Sequence, residues 1–106
     1  MRYIFDEKDW KLFRAKRVDW QEAYMDKLIH EYIALLSGDS NPSEKFWALE
    51  ERINKDKHDT GVLMEMRRSM LISNICSLLN EGAITMDDLE DFSDDFKEYF
   101  KELMAD

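Results

Sequence analysis

Apolar residues recur every third or fourth position along most of this chain, the period of an α-helix with one covered face. Over residues 6–37 no glycine or proline intervenes until Gly38. Trp10, Phe13, Trp20, Tyr24, Leu28, Tyr32 and Leu35 form one stripe there, which lapses only near Arg17. The spacing predicts a first helix about 45 Å long at 1.5 Å per residue. Ser37–Gly38 ends it, with Gly38 expected in the left-handed conformation of a C′ residue, and GDSN makes a polar turn. Asn41 as cap, Pro42 at the first helical position and Glu44 at the capping-box position open a second helix, 42–56. It carries Phe46, Leu49 and Ile53, with Trp47 at their side.

The polar connector NKDKHD leads to a third predicted helix, 60–81, capped by Asp59 or Thr60. Leu63, Met66, Met70, Ile75, Leu78 and Leu79 form its apolar face, and Gly82 closes it. A fourth helix is expected over 86–104. Thr85 is a good N-cap, and Asp87 and Asp88 suit the positive end of the helix dipole. Ile84 and Leu89 have the spacing of a hydrophobic staple, and Phe92, Phe96, Phe100 and Leu103 continue the stripe. Three glycines and one proline leave few turns for an all-β fold. The expected fold class is therefore all-α, a single four-helix bundle-like domain with a long first helix and antiparallel neighbours.

Composition narrows the partners. Hydrophobic residues make up 44% of 106, thirteen of them aromatic, enough to order the chain. Trp10, Trp20 and Trp47 are large for such a core, so one or more is expected in an exposed patch that meets a partner. The net charge of −9 disfavours direct binding to nucleic acid or anionic lipid. No apolar stretch approaches the roughly 20 residues that span a bilayer, and the start MRYIFDEKDW has no signal-peptide core. A single cysteine, Cys76, excludes an internal disulfide and fits a reducing cytoplasm.

Few constellations suggest chemistry. Glu22, Asp26 and His30 recur every fourth residue and are the only candidate metal ligands. A bundle metal site draws Glu-x-x-His pairs from several helices, and neither histidine here follows a glutamate by three. A solvated face is the better reading, and no cofactor is expected. The DTG beside His58 lacks the second turn of an aspartic protease, and Cys76 lies among Ile72, Ile75 and Leu79 with no cation to activate it. The acidic run DDLEDFSDDF has no glycine and carries Leu89 and Phe92 at helical spacing, which argues against a calcium loop. Its Asp87, Asp88, Asp91, Asp94 and Asp95 could instead imitate nucleic-acid phosphates.

Charge is also polarised. Residues 1–17 hold six basic groups against three acids, and residues 86–106 hold nine acids against two lysines. The two ends should attract, within one molecule or between two. A first helix of about 45 Å outruns a compact 106-residue chain, so Trp10 and Phe13 are expected to protrude. A two-fold homodimer would cover them, with Arg14, Arg17 and the basic segment of one copy on the acidic last helix of the other. The monomeric alternative bends or breaks the first helix near Arg14–Val18 and folds the two charged ends together. Function is expected to be that of a noncatalytic protein-interaction or regulatory module. The alternatives are an acidic nucleic-acid-mimic inhibitor and a metal-binding helical enzyme.

The stretches DWQEAYMDKLIHEYIALLSGDSNPSEKFWALEERI and NEGAITMDDLEDFSDDFKE resemble a family of small bacterial proteins of unknown function. The likeness runs from Trp10 to about Glu98. Some members are labelled multidrug transporters, a label that a chain without a membrane span does not support. The resemblance implies a small soluble bacterial protein and supplies no catalytic residues.

Overall fold

The structure, a computed structural model, describes residues 5–105. Four α-helices make up most of it: α1 (Glu7–Leu36), α2 (Pro42–Asp56), α3 (Leu71–Asn80) and α4 (Asp94–Leu103). Two 3-10 turns, Arg68–Met70 and Met86–Leu89, lead into α3 and precede α4, and no strand occurs among the described residues. The fold is all-α, as the periodicity predicts.

The long first helix does not break at Arg14–Val18; it runs unbroken for 30 residues. Asp6 caps it by accepting the Asp9 N–H at 2.9 Å, while the Asp9 carboxylate accepts the Asp6 N–H at 3.3 Å. The core gathers on its first half. Trp10 and Phe13 meet Leu71, Ile75 and Leu78 of α3, Ile84, Leu89 and Phe92 of the acidic segment, and Phe96 and Phe100 of α4. The protrusion expected of Trp10 and Phe13 is thus overturned. They are 7% and 0% exposed because the three later segments all pack on one end of α1. Ring-to-ring contacts carry the core across the elements. Trp20 lies 6.3 Å from both Phe13 and Phe92, and Phe92 stacks on Phe96 at 4.6 Å.

Two helices start later than the periodicity predicts. Residues 60–67 are turn and extended chain, not the first turns of α3. Their backbone is committed elsewhere: the Thr60 and Gly61 N–H groups donate to the Glu81 carboxylate at 2.9 and 3.0 Å. Asp59 caps nothing, since its carboxylate accepts from the Tyr24 hydroxyl at 2.7 Å. The fourth helix begins at Asp94 because Ser93, not Thr85, caps it. Thr85 heads only the short 3-10 turn, donating its N–H to Asp88 at 2.8 Å. Two smaller expectations also fail. Gly38 is not left-handed and Asn41 makes no side-chain cap bond, although Pro42 does open α2. Gly82 does take φ 76°, and the Ala83 and Gly82 N–H groups close α3 onto Leu78 and Leu79 in a Schellman motif.

With the core at one end, the other half of α1 and all of α2 extend as a hairpin. Extents of 57 × 27 × 20 Å and a radius of gyration of 16.8 Å describe an elongated molecule, against about 13 Å for a compact chain of this length.

Candidate functional site

Polar contacts tie the two helices of the hairpin together. Arg52 reaches Glu31 at 2.9 Å and Asp56 at 3.4 Å, and the Tyr32 hydroxyl donates to Asp56 at 2.7 Å. From Asp56 through Asp59 to Thr60 the partners on α1 step back from Tyr32 to Tyr24 to Gln21, so the chain after the turn runs antiparallel to α1. At the base, the Gln21 amide donates to the Thr60 carbonyl at 3.0 Å, and Gly61 lets its backbone lie against the Tyr24 ring. A Cβ there would stand 2.3 Å from the ring.

Burial raises the Tyr32 hydroxyl from 10.0 to about 12, helped by its bond to Asp56 and that carboxylate's charge. Tyr24 is raised by burial and by Asp59 in the same way. Stability from these bonds is therefore fully present below pH 10 and lost as pH rises through about 12. The urea midpoint should hold level up to about pH 10 and fall above it. Lysines titrate in the same range, so the comparison is with Tyr24→Phe/Tyr32→Phe, whose midpoint should fall less steeply. An identical slope in both proteins would refute the assignment.

The apolar stripe of α2 points elsewhere. The one buried residue of this helix is Asp56, a polar one. Phe46 is 63% exposed and Ile53 43%, while Ile29 and Ile33 of α1 are 51% and 56%. Between the helices runs a groove of about 230 Å³, lined by Met25, Leu28, Ile29, Ile53, Lys57 and Val62. A second groove on α2 joins it through Ile53 and adds Phe46, Leu49 and Glu50. Leu36 and Trp47 extend the exposed apolar surface. Among the described residues, most of the large apolar side chains left in water belong to this hairpin. The expectation of an exposed tryptophan is met by Trp47; Trp10 is buried and Trp20 half-buried.

The other predicted residues fall into separate places. Asp26 and His30 approach to 3.7 Å on an exposed face, and no cluster able to hold a metal occurs among the described residues. Arg14 lies 6.0 Å from the Trp10 ring, and Arg17 donates to Gln21 at 3.0 Å. Of the acidic row, Asp91 pairs with Lys16 at 3.3 Å and Asp94 with Lys97 at 3.4 Å. Asp88 is bound to Thr85, Asp87 is exposed, and Asp95 is exposed but engaged in its own interactions. The attraction between the basic start and the acidic end is thus met within one molecule by Lys16–Asp91. Arg2, part of that basic count, lies outside the described residues. Cys76 is half-buried, and burial pushes its thiol up, away from reactivity.

No helix among the described residues is long and apolar enough to cross a membrane. Comparisons of the chain with family models, curated proteins and solved structures return no match.

Proposed function

We propose that the protein is a noncatalytic interaction module that works through the apolar face of the α1–α2 hairpin. A bacterial, cytoplasmic setting is part of this proposal, supported by the family resemblance and by the lone cysteine. The observation that carries the reading is α2 itself, an amphipathic helix whose stripe keeps Phe46 and Ile53 exposed and Leu49 only half-buried. Full burial of a side chain such as Phe46 or Ile53 is worth about 1.5–3 kcal/mol, a gain the isolated fold forgoes and a partner can collect. A contiguous apolar patch on a projecting arm is the usual form of such a surface.

Affinity capture from cell lysate tests this, run with the wild type and with Phe46→Ser/Ile53→Ser. Both substitutions are on exposed positions, so the fold should persist with its circular dichroism unchanged. The captured set should be lost with the variant. An unchanged set would end the reading.

Phosphate mimicry stands second, supported by the exposed carboxylates of Asp87, Asp91 and Asp94. Lysines already neutralise two of these three, which weakens it. Its mark would be a basic nucleic-acid enzyme whose capture survives Phe46→Ser/Ile53→Ser and disappears on Asp87→Asn/Asp91→Asn.

A further inference from the structure

We infer that the hairpin face receives a basic amphipathic helix, one whose apolar row is flanked on both sides by lysine or arginine. The inference rests on the interaction reading above and names the occupant.

The shape of the face suits a helix. Two antiparallel helices with apolar rows on a common side leave a trough between them, and the ridge of a third helix packs into such a trough. The trough lies at the Ile53–Lys57 end of α2, and the second groove continues it to Phe46, about 16 Å along the helix, so an occupant of about three turns would lie along it. Ile53 sits where the two grooves join, and Met25 and Ile29 form the opposite wall.

The charges at the edges decide between occupants. At 100° per residue, Glu22 lies on α1 between the directions of Ile29 and Ile33, and Asp26 lies just beyond Ile33. On α2, Glu50 flanks Phe46 and Ile53. All three carboxylates are exposed. Lys57, at one end of the trough, is the only cation lining either groove. A second copy placed on this face would bring another molecule of net charge −9 against these carboxylates. A helix with basic flanks would meet them as partners. Exposed ion pairs each add little affinity, so apolar contact supplies the affinity and the carboxylates supply the choice of partner.

The test uses two fluorescein-labelled peptides of about sixteen residues with the same leucine row, one flanked by lysines and the other by glutamates. Fluorescence anisotropy should show the lysine peptide binding at least about ten-fold more tightly, a preference that shrinks as salt rises. Phe46→Ser/Ile53→Ser should weaken binding about ten-fold or more, while Leu103→Ser, exposed on α4 away from the hairpin, should not change it. Glu22→Gln/Asp26→Asn/Glu50→Gln should erase the preference for lysine and leave the glutamate peptide no weaker.

Equal binding of the two peptides, or binding that survives Phe46→Ser/Ile53→Ser, overturns the inference. So does sedimentation of the wild type as a 25.4 kDa species, twice 12.7 kDa, that Phe46→Ser/Ile53→Ser returns to monomer. In that case a second copy holds the face. If neither peptide binds but lysate capture still depends on Phe46 and Ile53, the basic helix is wrong and the interaction module stands. If capture is also indifferent to those residues, both fail.

Discussion

Phe96→Ala should lower the free energy of unfolding by about 3–5 kcal/mol, while the same truncation at Phe46 should change it by no more than about 0.5 kcal/mol. The two phenylalanines are chemically identical and sit at opposite ends of the molecule. Phe96 is 0% exposed, stacked on Phe92 at 4.6 Å and tilted against Phe100 at 4.9 Å. Removing its ring leaves a cavity among side chains from α1, α3 and α4, which cannot all relax into it. Phe46 has its ring centre 5.0 Å from that of Trp47, lines the shallow groove on α2 and is 63% exposed. A small domain has only about 5–15 kcal/mol in total, so Phe96→Ala should leave the chain barely folded. Urea unfolding followed by circular dichroism reads both. A comparable loss at Phe46 would mean that the hairpin face is covered within the monomer.

Asp9→Ala should be the second most damaging change, at about 2–4 kcal/mol. Asp9 is 2% exposed, and its carboxylate joins the two ends of the chain. It accepts the Ser93 N–H at 2.8 Å and the Ser93 hydroxyl at 2.6 Å, so one side chain near the start of α1 fixes the first residue before α4. It also faces the N-terminal end of α4, where negative charge is favoured. Alanine there leaves the Ser93 donors short of a partner in a half-buried place. Asp9→Asn keeps one acceptor oxygen and should fall between wild type and alanine. In a double-mutant cycle with Ser93→Ala, the coupling energy should exceed about 1 kcal/mol. Additive losses would show that the contact does not hold α4 in place.

Most of the fold is readable from periodicity because four amphipathic segments were written with little glycine or proline. What escaped has particular causes. Over 63–67, exposed Leu63, Glu65 and Arg67 alternate with half-buried Met64 and Met66, which is the signature of extended chain rather than helix. The start of α4 was signalled by Ser93 followed by two aspartates, a capping pattern hidden inside a longer acidic run. Asp9 could not be recognised as buried, since its partner Ser93 is 84 residues away in the chain. For the site, the stripe of Phe46, Leu49 and Ile53 was legible, but periodicity says only that a face is apolar, not whether the chain has anything to cover it. A second row on α1, Met25, Ile29, Ile33 and Leu36, runs beside the Tyr24, Leu28, Tyr32 and Leu35 stripe. Two parallel rows are wider than contact with one neighbouring helix requires, and that excess width is the readable sign that Ile29, Ile33 and Leu36 stay exposed within the chain.

Hydrogen exchange read by mass spectrometry tests the central claim most directly, that the chain packs a core at one end and leaves the hairpin face open at the other. In the free protein, amides of α3, α4 and the first half of α1 should exchange slowly, and those of α2 much faster, because opening α2 exposes little new apolar surface. Adding the lysine-flanked peptide should slow exchange in residues 25–36 and 42–56 and leave α4 unchanged. If α2 is as well protected as α4 in the free monomer, the hairpin face is already covered and the account is wrong.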